Sequence, residues 1–279
     1  MKKTILFILL LLAGFSRPLF AYVDSDMDGV ADAIDKCPNT PLLDLVDING
    51  CTKKVLIPKS QKQHFDIIVG ANYSGSNYAS LNQIDTYSTS LQLDYYYENF
   101  SLQASTSYYK TDGENYSENG MNDSFIGAAY SIKTDKNLLI RLGIGLILPT
   151  YDTGLNNNNT DYTASVNLSY TLGKFNIFGG YIYTLINDDD MVVDDIAYTY
   201  QNTNALSLGC GYYFTKKLYL STSYNTANSI YKSVEDVDTL SLYAYRSINK
   251  NWFATLFYAY GLSESASDNA LSLKLGYYF

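Results

Sequence analysis

The sequence predicts an all-β fold, an antiparallel transmembrane β-barrel of about 12 strands, preceded by a small loop module of different chemistry. Three observations lead there. From His64 to Phe279 apolar and polar residues alternate with period two, broken at regular intervals. The breaks are alternately tight turns and long polar stretches. Tyrosines, 29 in the chain against one tryptophan, crowd at the ends of the alternating runs.

The first residues bear on compartment. Lys2 and Lys3 give a basic start, Ile5 to Phe15 is apolar, Arg17 and Pro18 end the run, and Ala21 offers a small residue for cleavage. The apolar run is half the roughly twenty residues a membrane helix needs. Residues 1–21 therefore read as a secretory signal peptide; an uncleaved anchor is the alternative. Without Lys2, Lys3 and Arg17 the net charge would deepen from −9 to about −12. Such an acidic exported chain is a poor partner for nucleic acid, whose phosphates it repels, and a reasonable one for divalent cations.

Residues 22–52 are Asp-rich and lack alternation. Asp24, Asp26 and Asp28 stand at positions 1, 3 and 5 of a loop, with Gly29 at 6, Asp32 at 9 and Asp35 at 12. This is the spacing of an EF-hand-type loop, with Asp in place of the closing Glu. Calcium takes six to eight hard oxygens, and alternate residues of a tight loop turn theirs inward. Val30, at position 7, would contribute its carbonyl. Downstream, Asp35-Lys-Cys37-Pro38-Asn-Thr-Pro41 and Asp47-Ile-Asn49-Gly50-Cys51 complete a segment that resembles a thrombospondin type 3 repeat, a module found as a linker in OmpA-like proteins. The resemblance implies Ca2+ held by Asp24, Asp26, Asp28, Asp32 and Asp35, and a Cys37–Cys51 disulfide. An oxidising compartment is consistent with that bridge. About thirty residues cannot bury a core, so the ion would stiffen a spacer. Residues 53–63, basic and polar, form a joint.

Residues 64–279 carry the barrel, in twelve runs. They are approximately 64–74, 86–98, 100–109, 122–133, 137–149, 161–172, 174–186, 201–214, 217–226, 237–247, 251–261 and 269–279. Most are long enough for a tilted strand to cross the hydrocarbon, which takes about nine to eleven residues. Tight turns follow the even-numbered runs: Glu98-Asn99, Thr134-Asp135-Lys136, Gly173, Thr215-Lys216 and Ile248-Asn249-Lys250. Long polar loops such as Gly75–Asp85 and Asn187–Tyr200 follow odd-numbered ones. Short turns at one end and long loops at the other are an outer-membrane pattern, with the turns facing the periplasm. An even count then puts the N-terminal module in the periplasm.

Each run has two faces. In the sixth, Tyr162, Ala164, Val166, Leu168, Tyr170 and Leu172 oppose Thr163, Ser165, Asn167, Ser169 and Thr171. A soluble sandwich would bury the apolar set, whereas a membrane barrel turns it to lipid. Run length and tyrosines at run ends favour the barrel. The end, Leu271-Ser-Leu-Lys-Leu-Gly-Tyr-Tyr-Phe279, resembles the C-terminal signal of bacterial outer-membrane proteins. That resemblance implies recognition of Phe279 by the barrel-assembly machinery, and surroundings of outer-membrane lipid and lipopolysaccharide. The peptidoglycan-binding domain usual in OmpA-like proteins is not carried over.

No catalytic set is expected. Phospholipase-type and omptin-type barrels use His, and the one His here, His64, stands at the turn end of the first run. Cys210 falls on the apolar face with Leu206 and Leu208, away from any nucleophilic role. Acidic clusters at Asp188–Asp190, Asp194-Asp195 and Glu235-Asp236 with Asp238 read as solvated loops, with divalent-cation binding near the lipopolysaccharide as the alternative. The inner face is expected to carry Asp66, Gln92, Asp94, Gln103, Arg141, Asn167 and Lys274. These residues could line a path for small solutes, giving a porin-like channel, or pack as a polar plug in a structural or adhesive barrel of OmpA-like type.

Overall fold

A computed structural model describes residues 36, 63–77, 83–114, 116–134, 137–151, 158–193 and 196–279. The signal peptide, the calcium ligands Asp24, Asp26, Asp28, Val30, Asp32 and Asp35, and Cys37 and Cys51 lie outside the described residues, as do Asp194 and Asp195. Among the described residues fifteen strands are formed: β1 Gln63–Ser76, β2 Ile84–Tyr97, β3 Phe100–Gly113, β4 Tyr116–Met121, β5 Ser124–Lys133, β6 Leu138–Leu148, β7 Asp161–Leu172, β8 Phe175–Leu185, β9 Met191–Val193, β10 Ile196–Tyr198, β11 Thr203–Thr215, β12 Leu218–Ala227, β13 Val237–Ser247, β14 Trp252–Gly261 and β15 Asn269–Tyr278.

Thirteen of them make one antiparallel sheet, in the order β2-β1-β15-β14-β13-β12-β11-β8-β7-β6-β5-β3-β4, and a β2–β3 pairing closes it into a ring. β4 and β5 occupy one position, both paired to β3. The wall thus has twelve staves, each hydrogen-bonded on both sides, and the first and last staves meet through Asp66↔Tyr278 to Gly75↔Asn269. Closure leaves no free edge in the ring of twelve staves, which lipid would penalise because it offers no hydrogen bonds, while β4 pairs with β3 alone among the described residues. Among the described residues no helix is long and apolar enough to cross a membrane.

The tight turns at Glu98-Asn99, Gly173, Thr215-Lys216 and Ile248-Asn249-Lys250 fall where the sequence predicts them, while Asp135 and Lys136 lie outside the described residues. Glu98 and Asn137 take the left-handed conformation (φ 51° and 61°), as does Gly173 (φ 61°). Gly173 has no side chain to oppose that backbone. At the β13–β14 turn the Asn249 side chain accepts the N–H groups of Asn251 and Trp252, both at 2.9 Å. The opposite end departs from the expectation of polar loops. β1 and β2 stay paired to Ser76↔Ile84. β3 continues to Gly113 and returns as β4, and a small β9–β10 hairpin forms within 187–200. Ladder bonds satisfy the backbone there as they do in the membrane.

The pleat assigns the faces. Ile144 and Leu208, in mid-stave, are 69% and 65% exposed, with Leu142, Leu168, Ile177, Leu206, Leu242 and Leu273 also exposed on the outer wall. At the turn end outward rings cluster: Phe100–Tyr130, Phe175–Tyr212 and Trp252–Tyr277, with centroids 5.9, 4.9 and 4.9 Å apart. At the loop end the outward Tyr73–Tyr87 pair stands at 5.3 Å. Apolar residues outside, flanked by two aromatic belts, invert the arrangement of a soluble protein. The tandem tyrosines divide between the faces. Tyr95 and Tyr97 lie outward while Tyr96 faces in, and Tyr277 lies outward while Tyr278 faces in.

Candidate functional site

The ring encloses a polar lumen, and this is the candidate site. All seven residues expected on the inner face occupy inward register positions. Asp66 stands opposite Asp94, Asp94 opposite Gln103, Ile68 opposite Gln92, Arg141 opposite Asn167, and Lys274 opposite Gly70. Hydroxyls and amides make up most of the remaining wall, and they bond to each other across staves. Ser272 donates to Asn72 at 2.6 Å, Asn72 to Ser88 at 3.1 Å, Asn225 to Ser241 at 2.8 Å and Asn176 to Ser169 at 2.8 Å. These bonds hold the side chains along the wall and leave space in the middle. One cavity of about 450 Å³ is lined by Ser101, Gln103, Arg141, Thr163, Ser165 and Asn167 among others. A second, of about 360 Å³, shares Asn167 and reaches Ser207, Asn225 and Thr239.

Inward aromatic rings are accommodated by inward glycines on neighbouring staves. A Cβ on Gly276 would run into the ring of Phe253, its cross-strand partner, and one on Gly145 or Gly127 would meet Phe125. The rings of Phe253 and Phe125 thus lie close over the bare backbone of these glycines.

Charge gathers toward the turn end. Asp66 and Asp94 are 8% and 6% exposed. Gln92 donates to Asp94 Oδ2 at 2.8 Å, and Arg141 and Lys274 lie within electrostatic reach of Asp94. Arg141 itself donates to Ser101 at 3.0 Å. Asp66 Oδ1 is buried with no hydrogen-bond partner. The imidazole of His64 stacks on Tyr96 (4.3 Å, 15°) and contacts Tyr278 at 4.8 Å, so it is wedged among rings. Tyr245, three staves from β1, comes within electrostatic reach of Asp66 and Tyr278. The sequence places His64 at the turn end of the first run, and the structure adds the aromatic clamp.

At the loop end a row of tyrosines forms that the sequence reading did not foresee. Tyr109 of β3 packs edge-on against Tyr151, just after β6, at 5.5 Å and 86°. Tyr151 lies within electrostatic reach of Tyr231, which follows β12. Tyr231 in turn contacts Tyr200 at 5.2 Å and Tyr198 at 5.9 Å. An isolated bridge joins Tyr200 to Tyr231, and Tyr200 N–H donates to Asp190 at 2.7 Å. Burial raises the Tyr151 and Tyr200 phenols above their ordinary range. β3 and β12 are half a ring apart, so the tyrosines approach one another from opposite sides of the mouth.

The loop acids have local roles. Asp188 accepts the Asn159 N–H at 3.3 Å, and burial followed by repulsion from Asp123 and Asp189 lifts its carboxyl above the usual range. Asp238 N–H donates to Ser263 at 3.0 Å. Among the described residues no group of three or more His, Cys, Asp or Glu is arranged to hold a metal. Cys210 is a free, exposed thiol on the outer wall between Leu208 and Tyr212.

A closed ring with an apolar exterior and a polar interior defines a transmembrane β-barrel of the outer-membrane type. In architecture the chain is similar to the solved NanC porin (15% identical, TM-score 0.51, covering 76% of this chain and 97% of that one). It is similar also to the KdgM porin (12%, TM-score 0.52, 77% and 99%). A third likeness is the translocator domain of the autotransporter NalP from Neisseria meningitidis (11%, TM-score 0.50, 80% and 90%). No protein-family model and no curated protein sequence matches the chain.

Proposed function

We propose that this protein is a porin-like channel of the bacterial outer membrane for small polar solutes, joined to a calcium-binding module in the periplasm. The observation that carries the channel reading is the pair of lumen cavities, about 450 and 360 Å³, that share Asn167 and are lined in part by hydroxyls and amides. A wall of Ser, Thr and Asn can exchange hydrogen bonds with a hydrated solute at little cost in desolvation. In this orientation the short turns face the periplasm and the tyrosine row faces outward.

The periplasmic module rests on sequence alone: the carboxylate spacing of Asp24, Asp26, Asp28, Asp32 and Asp35 around Gly29, with the Val30 carbonyl. The ion would rigidify the spacer, with the Cys37–Cys51 bridge acting alongside it. Assembly through Phe279 and contact with lipopolysaccharide belong to the same reading.

A structural or adhesive barrel with a closed lumen is the second reading, and the tyrosine row across the mouth favours it. Planar-bilayer recording separates the two. Discrete conductance steps from the purified, refolded protein are expected of a channel. Their absence, with the barrel folded by circular dichroism and gel shift, overturns the channel in favour of the closed form.

A further inference from the structure

Asp66 is the least compensated charge in the lumen. Its register partner on β2 is Asp94, another carboxylate, and like charges directly opposite in an antiparallel ladder repel. Asp94 has help from the Gln92 amide at 2.8 Å and from the fields of Arg141 and Lys274. Asp66 has neither. The His64 ring is the basic side chain in its reach, and that ring is held between Tyr96 and Tyr278. Asp66 is 8% exposed, and its Oδ1 has no partner. A buried carboxylate oxygen left unsatisfied carries a desolvation cost that a bound cation would remove. Tyr96 and Tyr278 line the same end of the lumen, and aromatic faces attract cations.

We propose that Asp66, backed by Asp94, is a binding station for a monovalent cationic group inside the lumen: an alkali-metal ion or the ammonium of a passing solute. With two carboxylates and, among the described residues, no third acidic, His or Cys side chain completing a metal-holding group, the site suits a singly charged, weakly coordinated cation better than a divalent one. Such a station raises the local concentration of cations relative to anions, and it gives the channel a preference for positive or zwitterionic solutes. The inference uses the channel reading for its electrical readout only.

The test is the reversal potential of wild type, Asp66→Asn and Asp94→Asn in a KCl gradient at neutral pH. Wild type should favour K+ over Cl−. Asp66→Asn should lower that permeability ratio by about twofold or more, and Asp94→Asn by less, because it removes only the backing charge. Conductance steps with the same ratio in wild type and Asp66→Asn overturn the station while the channel stands. If wild type shows no steps, the channel reading fails, and the station is decided by thermal unfolding of the refolded barrel in detergent. Added KCl should then raise the midpoint by more in wild type than in Asp66→Asn, where the ionic-strength effect alone remains. Equal rises overturn it. Should Asp66→Asn not refold, loss of the K+ effect in Asp94→Asn supports the station, and full retention refutes it.

Discussion

The ring of Tyr151 meets that of Tyr109 edge-on, 5.5 Å between centroids and 86° between planes. That contact ties the end of β6 to the wall of β3 and starts a row that ends at Tyr231 and Tyr200, on the far side of the mouth.

Removing the far anchor should open the mouth. Tyr231→Ala deletes the contacts with Tyr198 and Tyr200, each aromatic pair worth about 0.5–1.5 kcal/mol. Single-channel conductance should rise, with more current noise. Tyr231→Phe keeps both ring contacts, loses only the phenol hydrogen bond with Tyr200, and should stay much closer to wild type.

The fit of Phe253 over Gly276 leaves no room for a side chain. Gly276→Val should destabilise the barrel by about 1–3 kcal/mol, the usual cost of overpacking, or drive the ring into the lumen and reduce conductance. Phe253→Ala in the same chain should restore both. Denaturant midpoints in micelles, measured beside conductance, report the rescue.

The two faces can be told apart by charge. Leu208→Arg places a cation in mid-stave on the outer wall and should cost about 2–4 kcal/mol. Ser207→Arg, its inward neighbour, should cost far less and alter ion selectivity instead. Similar unfolding midpoints for the two variants would contradict the assignment of faces.

Calcium should bind one site in the full-length protein, read by titration calorimetry in detergent. Asp28→Ala removes the position-5 carboxylate and should abolish that heat, while the barrel's heat-dependent gel shift remains. Chelation should leave the barrel folded too.

Asp188 should make the mouth sensitive to pH. Its carboxyl is lifted by burial and by neighbouring acids, so the folded loop favours the protonated form. The associated stability is present below the ordinary carboxylate range and is lost as pH rises through the lifted value. A spin label at the exposed Val192 position should gain mobility between acid and neutral pH, and Asp188→Asn should remove that change.

How far the sequence reveals this architecture depends on what each residue answers to. β7 and β13 match the runs read from sequence at both ends, because inside the bilayer every second side chain must suit lipid and the pattern is written without gaps. Beyond the bilayer that requirement lapses. The upper parts of β1, β2 and β3, and all of β4, are held by backbone bonds that carry no side-chain signature, so they read as loops. The inner-face set was legible by parity alone. That Asp66 meets Asp94, with Arg141 and Lys274 nearby, depends on register between strands far apart in sequence. The tyrosine doublets were legible as belts, but their inward members, Tyr96 and Tyr278, become visible only once the pleat is fixed. The row across the mouth joins residues from three separate loops and had no local signal at all.

The seam between β1 and β15 joins residues about two hundred positions apart, Val69 to Leu275 for example. Forming it last is entropically expensive and slow, since no local contact can stand in for it. Until it zips, β1 and β14 each present an open edge able to pair with another chain. The barrel's vulnerable period is therefore set by the arrival of its final ten-residue strand, and anything that delays that strand prolongs exposure to aggregation.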